Sequence, residues 1–443
     1  MTYQDIIKRG LELGLEAVEL YITNSESNTI KLDEGKLESY ISKELFGISI
    51  RGLYQGKMSY VYTETIDDVE IEKVLNKLVE NVKLIDATEP EFMFEGGSTY
   101  QEVPELVSDY RKHTTNEKIE MLQNLEKEAR LISEKIKKVG YCQYSENLKN
   151  VQIMNSKGLN LSRKYAYITT ALGVLAKEED QTVMGYAGDI QANFSNLETT
   201  RMVSEATERA LSQLGAGSVQ SGNYPVVLSR DVATEILNAF SSVFSGDAAM
   251  KKMTILTDKI GKKVFGENIT LIDDPFYQDA IIQIPFDDEG VPCYTKKIVE
   301  NGVFNGLMHN LKTANFFHTT STGNGFKAGT SGSVSVSPTN LFIQEGSLTK
   351  DEIIANTKDG VMITEVNGLH AGLNPISGNF NVQASGFIIK DGKIDRPITL
   401  FVLSGNFYEM MNQVEAIGND IEKRFVGVAS PTLKIKSLAI SGK

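Results

Sequence analysis

Ala17-Val18-Glu19-Leu20-Tyr21-Ile22 reads as a β-strand, and its neighbours on both sides set the fold class. Just before it, Tyr3–Leu15 places Ile6, Ile7, Leu11, Leu13 and Leu15 near helical spacing, and Gly14 stops that helix. Two more β segments follow, Ser27–Leu32 and Gly47–Leu53, each alternating apolar and polar residues. Gly56 marks a turn within Tyr54–Tyr62 that leads into a further strand. Asp67–Ile85 then returns to the helical period, with Val69, Val74, Leu75, Leu78 and Val82 on one face. Residues 1–88 thus read as an α+β domain, a helix and an antiparallel sheet closed by a second helix.

Beyond it, residues 89–115 begin Pro/Gly-rich and without period, as a linker does. Residues 116–220 form a mixed helical and β middle section. Its first helix is expected over Asn116–Lys138, on the spacing of Ile119, Leu122, Leu125, Ala129, Ile132 and Ile136. Strands follow at Val151–Leu159, with a turn at Lys157-Gly158, and at Tyr165–Ala176. A helix over Leu197–Leu214 closes the section. Residues 221–443 read as a β-rich C-terminal domain, a sandwich or rolled sheet, with helices only at Asp231–Val243 and Leu348–Thr357.

Composition narrows the function classes. With 41% hydrophobic and 23% charged residues over 443 positions, the chain has the make-up of a globular protein. The net charge of -13, from 45 Lys+Arg against 58 Asp+Glu, opposes nucleic-acid binding, which needs a basic footprint. No apolar run is long enough for a membrane span, and the first residues lack a basic, apolar leader pattern. Cys142 and Cys293 are the only cysteines, too far apart in sequence to suggest a disulfide framework. A cytoplasmic location is therefore the expectation.

Four passages of the C-terminal half, taken in order, carry a family signal. They are Phe286-Asp287-Asp288-Glu289-Gly290-Val291-Pro292 ahead of a turn at Asn301-Gly302; Ser321–Lys327; Gly368–Phe380 running into Ala384-Ser385-Gly386-Phe387 and Asp391-Gly392; and Ala416–Asp420 with Ser430-Pro431-Thr432-Leu433. In that order and spacing the chain resembles the TldD/PmbA family over essentially its whole length. The resemblance implies a cytosolic zinc-dependent peptidase assembled from two related subunits and acting on peptides and unfolded segments. One subunit carries His-Glu-x-x-x-His on a helix, and a Cys near its C-terminus completes the metal site. Zinc in such a site needs three protein ligands, an open position for water and a carboxylate to take the water's proton.

The matching helix here spans Val226–Val243, and the motif should begin near Leu237 or Asn238 and end near Ser242 or Val243. No His stands there, and no Glu stands between those positions; Glu235 precedes them. Asp420–Gly427 contains no Cys. The chain thus resembles the PmbA (TldE-like) subunit, with no cofactor of its own and zinc expected only in a partner bearing HExxxH.

No other residues rebuild a catalytic site from sequence. No two of His113, His309, His318 and His370 stand three to five residues apart, and no Gly-x-Ser-x-Gly elbow is present. Asp273-Asp274 and Asp287-Asp288-Glu289 read as solvated turns, and Cys142 and Cys293 as structural thiols. The candidates for lining a peptide groove are Gly368, His370, Ser377 and Asn379 in one loop and Ser321 and Asn324 in another. Three functions remain: the non-catalytic partner of a TldD-like paralogue, a homodimeric peptide-binding or regulatory protein, and a self-sufficient hydrolase with an unrecognised site.

Overall fold

The computed structural model describes residues 1–86, 89–97 and 99–443. The expected end of the first domain, at residue 88, falls outside them. Helix α1 (Tyr3–Glu12) starts on a reciprocal cap, with the Thr2 hydroxyl accepting from the Asp5 N–H and the Asp5 carboxylate from the Thr2 N–H. Strands β1 (Ala17–Asp33), β2 (Lys36–Tyr54) and β3 (Lys57–Thr63) follow, then α2 (Asp68–Leu84), capped by Asp67. After the connecting segment come α3 (Thr115–Ile132), β4 (Ile136–Asn155), β5 (Asn160–Glu178), β6 (Gln181–Gln191) and α4 (Thr199–Ser212).

These six strands form one antiparallel sheet in the order β3-β2-β1-β4-β5-β6, so the first domain and the middle section share it. The two β segments expected at 17–22 and 27–32 are one strand. The polar run Asn24–Thr29 between them pairs with β2 on one side and β4 on the other, and this pairing outweighs weak local propensity. The helix expected to reach Lys138 ends at Ile132. Ser133 is extended, and Ile136, whose spacing suits a helix, is taken by the ladder opposite Ala176.

The helices all cover one face. α1 and α2 pack over Val18, Leu20, Ile22, Ile48 and Ile50; α3 and α4 pack over Ile30, Leu32, Cys142, Tyr144, Ile168 and Leu172. The opposite face offers Tyr21, Val151 and Ile153, which pack with Leu159 against Phe286 of the C-terminal half. The sheet is thus clamped between a helical layer and the C-terminal domain.

The C-terminal domain opens with β7 (Gly222–Leu228), α5 (Arg230–Phe240), a 3-10 turn over Ser241–Phe244 and α6 (Gly246–Met250). Short elements follow: β8 (Leu271–Asp273), β9 (Lys296–Glu300), β10 (Val303–Phe304), α7 (Leu311–Phe316), β11 (Gly325–Lys327), β12 (Val334–Val336), β13 (Asn340–Ile343) and α8 (Lys350–Ala355). Then come β14 (Asp359–Asn367), α9 (Leu369–Gly372), β15 (Asn379–Lys390), β16 (Lys393–Asn406) and α10 (Phe407–Asn412). The chain finishes with β17 (Val414–Ile417), β18 (Gly427–Ala429) and β19 (Leu433–Ser441). The order β16-β15-β14-β7-β19 closes on itself through a β16–β19 pairing. Closure removes the sheet edges, so the rolled form of the expected β-rich domain is the one built. A second sheet, β10-β9-β8-β13-β18, lies beside it, and both contribute to one core around α5 and the buried Phe240, Phe244, Phe265 and Phe407.

Candidate functional site

Helix α5 is where a metal motif would stand. Ser229 caps it by accepting from the Val232 N–H, and Val232, Ala233, Ile236, Leu237 and Phe240 turn inward. Phe240 stacks on Phe407 with centroids 4.6 Å apart and meets Phe380 edge-on at 6.4 Å. Val243 is fully buried as well. What the segment turns outward is Asn238 and Ser242, with Ser241 half-buried and donating to the Asn238 carbonyl at 2.8 Å. An amide and two hydroxyls do not make the imidazole, thiolate or carboxylate set that zinc needs. Glu235 lies one turn away from any such centre. Its side chain is exposed on α5, and local desolvation with the Asp231 and Glu365 charges nearby raises its pKa. At the other end Asp420 accepts from the Thr432 N–H and hydroxyl at 2.8 and 2.7 Å, which occupies its carboxylate. The residues present do not fit a zinc ion. Among the described residues, no group of three or more His, Cys, Asp or Glu is placed to hold a metal.

The groove candidates divide into two kinds. Gly368, His370 and Ser377 lie exposed between β14 and β15, His370 on α9, and exposed Asn379 opens β15. Gly368 takes a left-handed φ of 85° that a side chain would strain. The Asn406 amide donates to the Ser377 carbonyl at 2.7 Å and to Asn379 Oδ1 at 2.9 Å, bracing the loop. Ser321 is half-buried and donates to the His309 carbonyl. Asn324, by contrast, is fully buried. Its amide donates to Asp273 and to the Ser337 carbonyl, both at 2.9 Å, and its oxygen accepts from Lys296 at 3.0 Å. It turns nothing toward a groove, which corrects that expectation: these three partners and the Thr322 hydroxyl, which donates to its oxygen at 2.7 Å, draw it into the interior.

A second correction concerns the acidic runs. Asp273, Asp287, Asp288 and Glu289 are buried, not solvated turns. Each carboxylate is fed by donors. Asp287 accepts from the N–H groups of Glu289, Val291 and Gly325 at 2.8–3.0 Å. Asp288 accepts from Arg163 at 2.5 Å and from the Lys327 N–H at 2.8 Å. Glu289 accepts from Arg51 at 3.1 Å and from the Leu311 N–H at 2.8 Å. Arg51, on β2, also holds Glu19 of β1 at 2.5 Å, and Lys327 donates to Ser49 at 2.8 Å while facing the rings of Tyr21 and Tyr60. Seven buried or nearly buried ionic groups, Glu19, Arg51, Arg163, Asp287, Asp288, Glu289 and Lys327, therefore line the seam between the sheet and the C-terminal domain. Burial pushes Asp287 well up, helped by the neighbouring Glu289 charge and opposed by its three amide donors. Burial and the Arg51 charge push Lys327 down to about 8. The signal available in sequence was Arg51, a cation inside the apolar run Gly47–Leu53, which calls for a buried anion.

Beside this seam lies a cavity of about 690 Å³, lined by Asn24 of β1, Asn150–Gln152 of β4, Ser162–Tyr165 of β5, residues 103–106 and the loop 278–285. None of the sequence candidates lines it.

Comparison with known proteins now bears on this architecture. Three family models match in order: PmbA/TldA metallopeptidase domain 1 over residues 18–83, the central domain over 109–214 and the C-terminal domain over 221–442. The chain belongs to the PmbA/TldD metallopeptidase family. A family member from Methanocaldococcus jannaschii, described as a metalloprotease, is 26% identical over 94% of this chain and 92% of its own length. Among solved structures, a Thermotoga maritima protein described as a candidate modulator of a DNA gyrase superposes with a TM-score of 0.90 at 27% identity, over 99% of this chain and 100% of that one. TldE of Thermococcus kodakarensis superposes equally well, TM-score 0.90 over 99% of both chains, and at 22% identity shares the fold.

Proposed function

We propose that this PmbA/TldD family chain is the non-catalytic, TldE-like subunit of a peptide-processing metallopeptidase. The observation that carries this reading is α5: where a catalytic subunit of the family holds its zinc ligands, this chain packs Leu237, Phe240 and Val243 into the core and turns Asn238 and Ser242 outward. The zinc chemistry then belongs to a TldD-like paralogue bearing HExxxH, and this chain completes the assembly that receives peptides and unfolded segments in the cytoplasm.

A feature of β2 supports an assembly. β3 pairs with β2 only from Ile48 to Tyr54, and among the described residues no strand pairs with the outer edge of Lys36–Gly47. Leu37, Tyr40, Ile41 and Leu45 on this arm are 46–61% exposed. Exposed apolar side chains beside open main-chain groups mark an interaction surface. The same edge would serve a second copy, and the homodimeric binder is the alternative reading.

Co-purification from native cells tests the assignment. A stoichiometric relative containing HExxxH, with zinc-dependent peptide cleavage by the pair and none by this chain alone, is the expected result. Recovery of the chain with only itself overturns the subunit reading.

A further inference from the structure

We infer that the surface formed by residues 251–263, with the loop around Ile376 beside it, is a docking site for acidic, aliphatic-rich peptide segments. This deepens the peptide-handling part of the function above, and does not depend on a catalytic partner. In a chain with 45 Lys+Arg against 58 Asp+Glu, Lys251, Lys252, Lys259, Lys262 and Lys263 stand within thirteen residues whose one acid is Asp258. All five are exposed. Among the described residues only Lys263 of the five has a carboxylate in ion-pair range, Glu267 at 2.6 Å, so the other four cations are left to water.

The apolar half of the surface is interleaved with these charges. Met253, Ile255 and Ile260 turn outward, and together with Ile376 they are 43–57% exposed. Ile376 comes from the segment between β14 and β15. The Tyr408 hydroxyl joins the two, against Thr254 and Ile255 on one side and the Pro375 carbonyl, at 3.5 Å, on the other. The backbone beneath is fixed. Thr254 and Leu256 are buried, the Met253 N–H donates to the Ala248 carbonyl at 2.7 Å, and the Gly261 N–H donates to the Phe304 carbonyl at 2.7 Å. A surface held this way loses little freedom on binding. Exposed aliphatic side chains grouped among cations mark an interaction surface whose partner carries both apolar and negative groups.

The charge of the whole chain decides which anionic partner fits. A membrane or a long nucleic acid extends far beyond the patch and meets a molecule of net charge -13. It would also meet Asp258, Glu267 and Glu409, which lie exposed among or beside the lysines. A short peptide feels only the charges within a Debye length, about 8 Å at physiological salt, and there the lysines prevail. No Arg stands in the segment to supply the planar fork that favours phosphate, whereas lysines on flexible stems accept carboxylates in no fixed geometry. The substrate class is therefore an unfolded segment rich in Glu or Asp and in aliphatic residues.

The experiment is fluorescence anisotropy on the full chain, with a fluorescein-labelled decapeptide of Glu, Leu and Gly. One counterpart carries Gln for every Glu, and another carries Gly for every Leu. Saturable binding of the parent is expected, at least about tenfold weaker for either counterpart and severalfold weaker as salt rises from about 0.05 to about 0.3 M. The triple variant Lys252→Glu, Lys259→Glu, Lys262→Glu should abolish binding at unchanged Tm, since all three side chains are exposed. Lys77→Glu, Lys112→Glu, Lys127→Glu reverses as many exposed charges away from the C-terminal domain, and should cost less than about threefold. Ile260→Ser alters no charge and should weaken binding severalfold. No saturation at about 1 mM peptide, the weak-affinity limit, overturns the site. Equal affinity for the parent and either counterpart, or equal losses in the two triple variants, overturns it as well. Binding to phosphatidylserine vesicles that the first triple variant loses, with the peptide left unbound, reassigns the surface to membranes and overturns it too. Since isolated chain is used, failure here leaves the subunit assignment standing, and failure of the co-purification leaves this site standing.

Discussion

Replacing Arg51 by Met is the sharpest test of the seam between the sheet and the C-terminal domain. Arg51 is 7% exposed and bridges two buried carboxylates, donating to Glu19 at 2.5 and 2.9 Å and to Glu289 at 3.1 Å. Methionine matches much of its volume but leaves both anions without their cation. Breaking a buried ion pair from one side costs about 3–5 kcal/mol, a large part of the roughly 5–15 kcal/mol that holds a domain folded. The chain has no Trp, so urea unfolding is followed by far-UV circular dichroism and tyrosine emission. The triple variant Glu19→Gln, Arg51→Met, Glu289→Gln supplies the control. The glutamines keep acceptors for Asn155 and the Leu311 N–H while removing the stranded charge, so most of the loss should return. The defect should also be pH-dependent. Stranded carboxylates acquire raised folded-state pKa values, and a raised group contributes stability that is present at low pH and lost as pH rises. The gap between R51M and wild type should therefore be wider at pH 8 than at pH 5. A loss under about 1 kcal/mol, or a triple variant no better than R51M, would refute the reasoning.

Three further outcomes are expected. His309, buried beneath Gly246 and bonded to Thr313 at 3.2 Å, is held by burial at about 4, so its contribution to stability is present above about 6.5 and fades as pH falls toward 4. NMR of ring-labelled histidine should show one imidazole that stays neutral to below pH 5, and a midpoint near 6.5 for all four would contradict this. Lys327, depressed to about 8, should let wild type gain stability relative to Lys327→Met between pH 8 and about 10.5, on the order of 3 kcal/mol, and a flat difference would refute its burial. Phe240→Ala, which removes the ring stacked on Phe407, should cost about 3–5 kcal/mol in thermal or urea unfolding, and a loss below 1 would show that α5 is not packed as described.

How legible was this protein in its sequence? The α+β class, the helices that end at clear caps and the rolled C-terminal sheet were readable, because period and punctuation are local. Asp67 and Thr114 announce α2 and α3 as plainly as any residues in the chain. What failed was non-local. Asn24–Thr29 looks like a break, yet strands on both sides hold it in the middle of β1. Ile136 fits the helical spacing of α3, yet a partner forty positions away claims it. The site divided likewise. The missing ligands of α5 were visible by inspection, whereas Asn324 and the run Asp287–Glu289 looked like loop polarity and proved to be buried. Burial of a charge depends on which cation the fold brings to it, and Arg51 stands 238 positions from Glu289.

That buried charge also bears on what the seam is for. Buried ion pairs are a poor route to stability, since apolar replacements of similar volume often do as well or better. The seven ionic groups kept out of water at the seam therefore call for a role other than raising stability. What such groups do supply is a unique register, because Arg51 can meet Glu19 and Glu289 together, and Arg163 can meet Asp288, in only one docking of sheet on C-terminal domain. The same docking brings Gln278–Pro285 over Asn24, Asn150–Gln152 and Ser162–Tyr165 of the sheet and so shapes the cavity there. The hypothesis is that the charges are retained to fix that geometry. A seam rebuilt from apolar residues at positions 19, 51 and 289 should then equal wild type in stability and exchange its amide hydrogens faster at 286–291, where more than one docking is sampled. If exchange there matches wild type, the charges serve some purpose other than registry.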